Sequence, residues 1–152
     1  MNRYKGFTLV ELMVTIAVAA ILIGIAMPSL SNLSASNALK STTRELISTI
    51  NTARSQSIST RTQIQVNPAS SGWDAGWSIV YANDAAEESQ EFEPEDGVSI
   101  ARTGGSGGLT FLPRGGLQGG PTTFTVCHSK LENGRTISVS FLGKVTTEVG
   151  SC

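Results

Sequence analysis

The sequence predicts an α+β protein in which one long N-terminal α-helix packs against a C-terminal antiparallel β-sheet head. Three observations predict it. From Phe7 to Met27 run 21 positions with a single ionisable side chain, Glu11. Beyond them, apolar residues recur at helical spacing as far as Ser57. From Gln63 onward the texture turns to short period-two runs broken by turn residues. A length of 152 residues suits one folded domain.

Composition narrows the function classes. With 39% hydrophobic and 15% charged residues the chain is too apolar to be disordered. A formal net charge of −1 gives no bulk attraction to nucleic acid. His128, Cys127 and Cys152 are all the histidine and cysteine there is, one short of a four-ligand zinc site. No cofactor, metal or catalytic constellation is expected.

The first element reads FTLVELMVTIAVAAILIGIAM. As a helix it would cover ~30 Å, the hydrocarbon thickness of a bilayer. The preceding MNRYKG carries Arg3 and Lys5 and no acid, so the basic end stays cytoplasmic and the rest crosses. A cleaved secretory signal would be shorter and end in a small-x-small pattern, which Met27-Pro28-Ser29-Leu30 lacks. Glu11 is the exception in this stretch. A carboxylate in a membrane helix costs several kcal/mol unless partnered, which makes it a functional candidate.

Pro28 is expected to kink the helix, with Gly24 loosening the same region. Leu30, Leu33, Leu39, Leu46, Ile50, Ala53 and Ser57 then form a stripe, with Asn32, Lys40, Arg44 and Arg54 between them. The segment Ser29–Thr60 is therefore an amphipathic helix whose stripe packs on the head. Strands are expected at Gln63–Val66, Ser78–Tyr81, Val98–Ala101, Leu109–Phe111, Thr122–Cys127 and Thr136–Phe141. Asn67-Pro68, Glu132-Asn133-Gly134 and Leu142-Gly143 supply turns. The final hairpin would pair Arg135–Phe141 with Lys144–Val149 across Gly143.

Two loops separate these runs. Asn83–Asp96 holds seven acids and no base, without the glycine or ligand register of a calcium loop, and reads as a solvated, mobile face. Gly104–Gly120 holds eight glycines and reads as a flexible loop interrupted by Leu109–Phe111. Its Gly105-Ser106-Gly107-Gly108 lacks the ending of a phosphate cradle. Cys127 and Cys152 are expected to pair in an oxidising compartment. A Cys127–His128 catalytic pair has poor geometry, because adjacent strand residues face opposite ways.

The segment Gly6-Phe7-Thr8-Leu9-Val10-Glu11-Leu12 resembles the type III signal of type IV pilins and type II secretion pseudopilins. The resemblance implies a type IV pilin-like fold. It makes 1–6 a leader peptide, 7–28 the membrane and filament-core half of the helix, 29–60 its amphipathic half, and 61–152 the β-rich head. Prepilin peptidase would cut between Gly6 and Phe7 and methylate the amino group of Phe7. The subunit would wait in the bacterial inner membrane with a periplasmic head. An inner-membrane assembly platform would then add it to other minor and major pilins at a pilus or pseudopilus tip. Glu11 would pair there with the Phe7 amino group of a neighbour, an arrangement in which losing either partner strands the other charge.

Further matches run through Trp73-Asp74-Ala75-Gly76-Trp77-Ser78-Ile79-Val80-Tyr81, Leu109–Gly115, Thr123–Cys127 and Gly143-Lys144-Val145, and end at Cys152. Together they resemble the GspH/FimT/FimU class of minor pilins. The class implies a low-abundance tip subunit that primes pilus assembly, or the H pseudopilin of a type II secretion system. Some FimT-like members bind DNA through a Gly-Arg-x-Arg hairpin. Here Gly134-Arg135 and Gly143-Lys144 each offer one cation, making Arg135 and Lys144 the candidate DNA contacts. From Gly97 onward five bases face two acids, which leaves room for a local positive patch.

Overall fold

The computed structural model describes residues 7–81 and 89–152, with the backbone alone at 26–29. The leader with its cleavage position Gly6, and Asp84, Glu87 and Glu88 of the acidic segment, lie outside the described residues. Pro28, where a kink is expected, falls among the residues whose side chains are not described. Helix α1 spans Leu9–Thr60. The chain divides into two compact units, Met1–Ser34 and Ala35–Cys152, and α1 contributes to both.

In the first unit every described side chain from Phe7 to Ile25 is exposed. The apolar window has a mean hydropathy of 2.6 and none of it is buried within the chain. A helix that is apolar on all sides has no partner in its own fold, and lipid or other apolar helices must serve as its surroundings. Leu30 and Leu33 belong to this exposed region and not to the core-facing stripe expected of them.

In the second unit the stripe of α1 is buried at Leu39, Leu46, Ile50, Ala53 and Ser57. Thr42, Thr43 and Thr49 are buried beside it. Two of these hydroxyls are satisfied locally: Thr43 Oγ1 donates to Leu39 O at 2.6 Å, and Thr49 Oγ1 to Glu45 O at 2.9 Å. A buried hydroxyl bonded this way avoids the desolvation penalty that would otherwise exclude it from a core.

The head carries eight strands: β1 Ile64–Ala69, β2 Gly72–Val80, β3 Gln90–Phe92, β4 Val98–Thr103, β5 Leu109–Phe111, β6 Thr122–His128, β7 Asn133–Val139 and β8 Val145–Ser151. They form two four-stranded sheets, ordered β3-β2-β1-β5 and β4-β6-β7-β8, and every strand pair is antiparallel. Alternation places Phe124 and Val126 of β6, and Ile137 and Val139 of β7, in the core against α1, Trp73 and Trp77. The two sheets are joined by β2. Trp73 packs edge-on against Phe124 at 4.8 Å between ring centroids, and Asp74 Oδ1 accepts the N–H of Ile100.

Several local expectations are corrected. Asn67-Pro68 is not a turn but the end of β1, with a register irregularity between Pro68 and Ala69, and the chain reverses after Ala69. Pro68 is tolerated because β5 pairs only with Ile64–Val66 and asks nothing of its missing N–H. Asn133-Gly134 opens β7 instead of turning, and the reversal precedes it. Strand β3 lies inside the segment read as a mobile acidic face.

Candidate functional site

The start of α1 is built by three residues of the signal. Thr8 precedes the helix, and its Oγ1 accepts the N–H of Glu11 at 3.2 Å. Its carbonyl accepts the N–H of Leu12, the first helical bond, at 3.2 Å. Thr8 is therefore the N-cap and Glu11 the third helical position, the sequence pattern of a capping box. Glu11 sits in the first turn, where the helix dipole favours an anion. Phe7, bearing the amino group after cleavage at the expected position, is exposed one residue before the cap. Sequence reasoning singled out Glu11 and Phe7 but missed Thr8, although the Thr-x-x-Glu spacing was there to find it.

The cysteines of the head form a disulfide, Cys127–Cys152, with Cα atoms 5.8 Å apart. It ties the end of β8, an edge strand, to β6 across the intervening β7. Gly134 of β7 passes directly between. A Cβ there would press on Val126 O and stand 2.7 Å from Cys152 Sγ and 3.0 Å from Cys127 Sγ, so the close approach of the β6 backbone and of the bridge, and not a turn, excludes a side chain. Closing a loop of 25 residues stabilises by ~3.5 kcal/mol in the chain-entropy model. Cys152→Ser is expected to lower the unfolding free energy of the oxidised head by about that amount. Hydrogen exchange should show β8 released first. An unchanged denaturant midpoint would refute this role.

The candidate DNA contacts are not brought together. Arg135 lies between Val126 and Val149 in the sheet, half-buried and on the same side as Ile137 and Val139. Lys144 is exposed in the β7–β8 turn, opposite Ser140, whose N–H donates to its carbonyl at 2.9 Å. Five residues of strand separate the two cations, ~17 Å at the usual rise. Affinity for phosphate grows with the number of clustered cations, and Arg135 and Lys144 do not cluster with each other.

Arg102, another base of the expected positive patch, is committed elsewhere. Its Nη1 donates to Gly107 O and Gly108 O, its Nε donates to Thr122 Oγ1 at 2.9 Å, and its guanidinium lies 5.9 Å from the centroid of Phe124. Burial pushes its pKa below the ordinary arginine value, yet arginine stays protonated at neutral pH. The glycine loop expected to be flexible is thereby held at Gly107 and Gly108. Arg102→Met keeps the aliphatic stem and removes the donors. It is expected to destabilise the head by roughly 1–3 kcal/mol and to raise amide exchange across Gly104–Gly108. Unaltered exchange there would show that the loop does not depend on the clamp.

The described part of the acidic segment is also ordered. The N–H of Glu95 donates to Thr42 Oγ1 at 2.9 Å, Ser41 Oγ donates to Glu95 Oε1 at 3.3 Å, and Phe92 stacks on Trp77 at 6.0 Å. Among the described residues no group of three His, Cys, Asp or Glu side chains could hold a metal ion.

Comparison with known proteins follows the same division of the chain. The family described as Type II transport protein GspH matches residues 42–143, and the Prokaryotic N-terminal methylation motif matches residues 1–27. No curated protein sequence matches. Among solved structures, the type IV minor pilin FimU of Pseudomonas aeruginosa strain PAO1 is similar in two crystal forms. In space group P21 the likeness has a TM-score of 0.63 at 25% identity, covering 74% of this chain and 90% of that one. In space group P65 the TM-score is 0.60 at 25% identity, over 72% and 92%.

Proposed function

From the premise that this chain belongs to the GspH family of type IV minor pilins and pseudopilins, we propose that it is a low-abundance minor pilin that primes pilus assembly from a tip complex. The observation that carries this reading is the start of α1. A lone carboxylate stands one turn from Phe7 on a helix whose apolar sides find no partner in their own chain. Such a helix is stable in a bilayer or among other apolar helices, and a carboxylate is stable there only beside a cation.

In this reading prepilin peptidase removes residues 1–6 between Gly6 and Phe7 and methylates Phe7. The assembly platform then lifts the helix out of the inner membrane. Glu11 meets the Phe7 ammonium of a neighbouring subunit and neutralises it. The cap at Thr8 starts the helix so that Glu11 falls in its first turn, at the end a neighbour's terminus would approach.

The second reading, an H-type pseudopilin of a secretion system, is favoured by the match to a family of type II transport proteins. The likeness to FimU over most of that minor pilin favours the pilus. Deletion of the gene separates them. Loss of piliation and twitching with normal secretion supports the pilus, and the reverse supports the pseudopilus. Mass spectrometry of the mature chain is expected to find Phe7 at the amino terminus with one added methyl group. An intact Met1 would overturn both readings.

A further inference from the structure

We propose that a hollow beside the Phe141–Leu142 turn receives the acidic strand edge of a neighbouring pilin head. The inference rests on the pilin reading above and adds to it the surface and the chemistry of the contact. The hollow encloses about 650 Å³ and is lined by Arg54, Leu112, Pro113, Arg114, Phe141 and Leu142.

Apolar exposure concentrates at this place. Among the described residues from Ala35 onward, the large exposed apolar side chains are Ile58, Phe141, Leu142 and Val149. Phe141 is 60% and Leu142 70% exposed, and Ile58 approaches the same hollow through Gly115. Clustered apolar exposure on a folded head marks a surface that is covered in its working state.

The surface is built rigidly. The N–H of Gly143 donates to Ser140 O at 2.8 Å, that of Leu117 to Phe141 O at 2.9 Å, and Arg54 Nε to Gly115 O at 3.1 Å. Gly143 has a φ of 74° and presses on Gly115 and Arg54, so a side chain at that position is excluded twice over. Phe141 and Leu142 are thus held outward by the backbone of two locked loops, as a preorganised contact requires.

Charge selects the occupant. Arg54 and Arg114 line the hollow, exposed Lys144 follows the turn, and no acidic residue lines it. A head of this fold is able to offer the complementary surface, as this chain illustrates. The sheet order β3-β2-β1-β5 places the loop after β5, and so the hollow, at one edge. At the opposite edge is β3, with Glu91 and Glu93 exposed on either side of Phe92. Subunits in a helical array meet through two different surfaces, and a cationic apolar hollow facing an acidic strand edge meets that requirement.

The test uses the full-length chain in the cells that produce it, with the photoreactive residue p-benzoylphenylalanine in place of Leu142. The expected product is an adduct to another pilin subunit, mapped to a peptide bearing at least two carboxylates. Arg114→Glu should reduce its yield by at least about tenfold while leaving the disulfide formed. An adduct to lipid or nucleic acid, an adduct mapped to a segment without carboxylates, no adduct, or indifference to Arg114→Glu would each overturn the proposal. Glu11→Ala, run in parallel, separates the two levels. Failed incorporation of Glu11→Ala together with any of those outcomes leaves the pilin reading standing and removes only the hollow. Normal incorporation of Glu11→Ala removes the pilin reading itself.

Discussion

Glu11→Ala is expected to insert into the inner membrane as the parent chain does and then fail to enter filaments. Insertion should survive because the change makes the segment more apolar. Incorporation should not, because a neighbour's ammonium would be left in the apolar filament core without its counter-ion. Removing one member of a buried pair costs about 3–5 kcal/mol, a fall of two or more orders of magnitude in the incorporated fraction. Glutamine gives the sharper experiment. At the third helical position Gln suits a capping box as well as Glu does but carries no charge. If pairing is what matters, Gln fails like Ala. If the helix start is what matters, Gln assembles and Ala does not. Quantitative immunoblotting of sheared filaments against the membrane fraction reads both variants.

The largest effect on stability is expected at Trp77. It is 2% exposed in the core of the head, donates from Nε1 to Thr49 Oγ1 at 3.1 Å, and carries Phe92 of β3 stacked on its ring. Trp77→Ala removes a large buried side chain and leaves a cavity, which costs about 3–5 kcal/mol. Against a total stability of roughly 5–15 kcal/mol, that is a large share. The core cluster lies wholly within Ala35–Cys152, so denaturant unfolding of that unit is a suitable measurement. The midpoint should fall steeply, and β3 should lose exchange protection with it. Trp77→Phe retains an aromatic ring and loses the donor to Thr49, and should cost roughly 1–2 kcal/mol. A loss below about 1 kcal/mol for Trp77→Ala would show that the ring does not hold helix and sheet together.

The legible parts of this protein were those set by local pattern. The apolar run with Glu11 inside it, the stripe of Leu39, Leu46, Ile50 and Ala53, and the alternation of Phe124 and Val126 each depend on near neighbours in sequence. Period and composition report such features directly. The misread parts were those where a distant partner decides. Gly134 looked like a turn because glycine after asparagine usually is one, yet its lack of a side chain admits Val126 O and a disulfide whose second cysteine is 18 residues further on. Arg102 counted as a surface cation and is a clamp on glycine carbonyls. Gln90–Phe92 looked like solvated loop and is a strand, held by the stack of Phe92 on Trp77. Of the signal at the start of α1, the charge was legible at once, and the cap required attention to a polar residue three places earlier.

The amino-acid sequence alone therefore determined the order of the chain: an apolar helix with one acid near its start, an amphipathic continuation, and a β-rich head. Each follows from spacing along the backbone, which the solvent reads as apolar or polar without reference to the rest of the fold. Tertiary structure alone decided that the strands divide into two sheets joined by Trp73 and Asp74, and that Arg135 and Lys144 stand apart. It also decided that Phe141 and Leu142 are exposed beside Arg54 and Arg114. These outcomes depend on which surfaces meet after the chain has closed long loops, and pairing between distant segments leaves no period in the sequence to announce it.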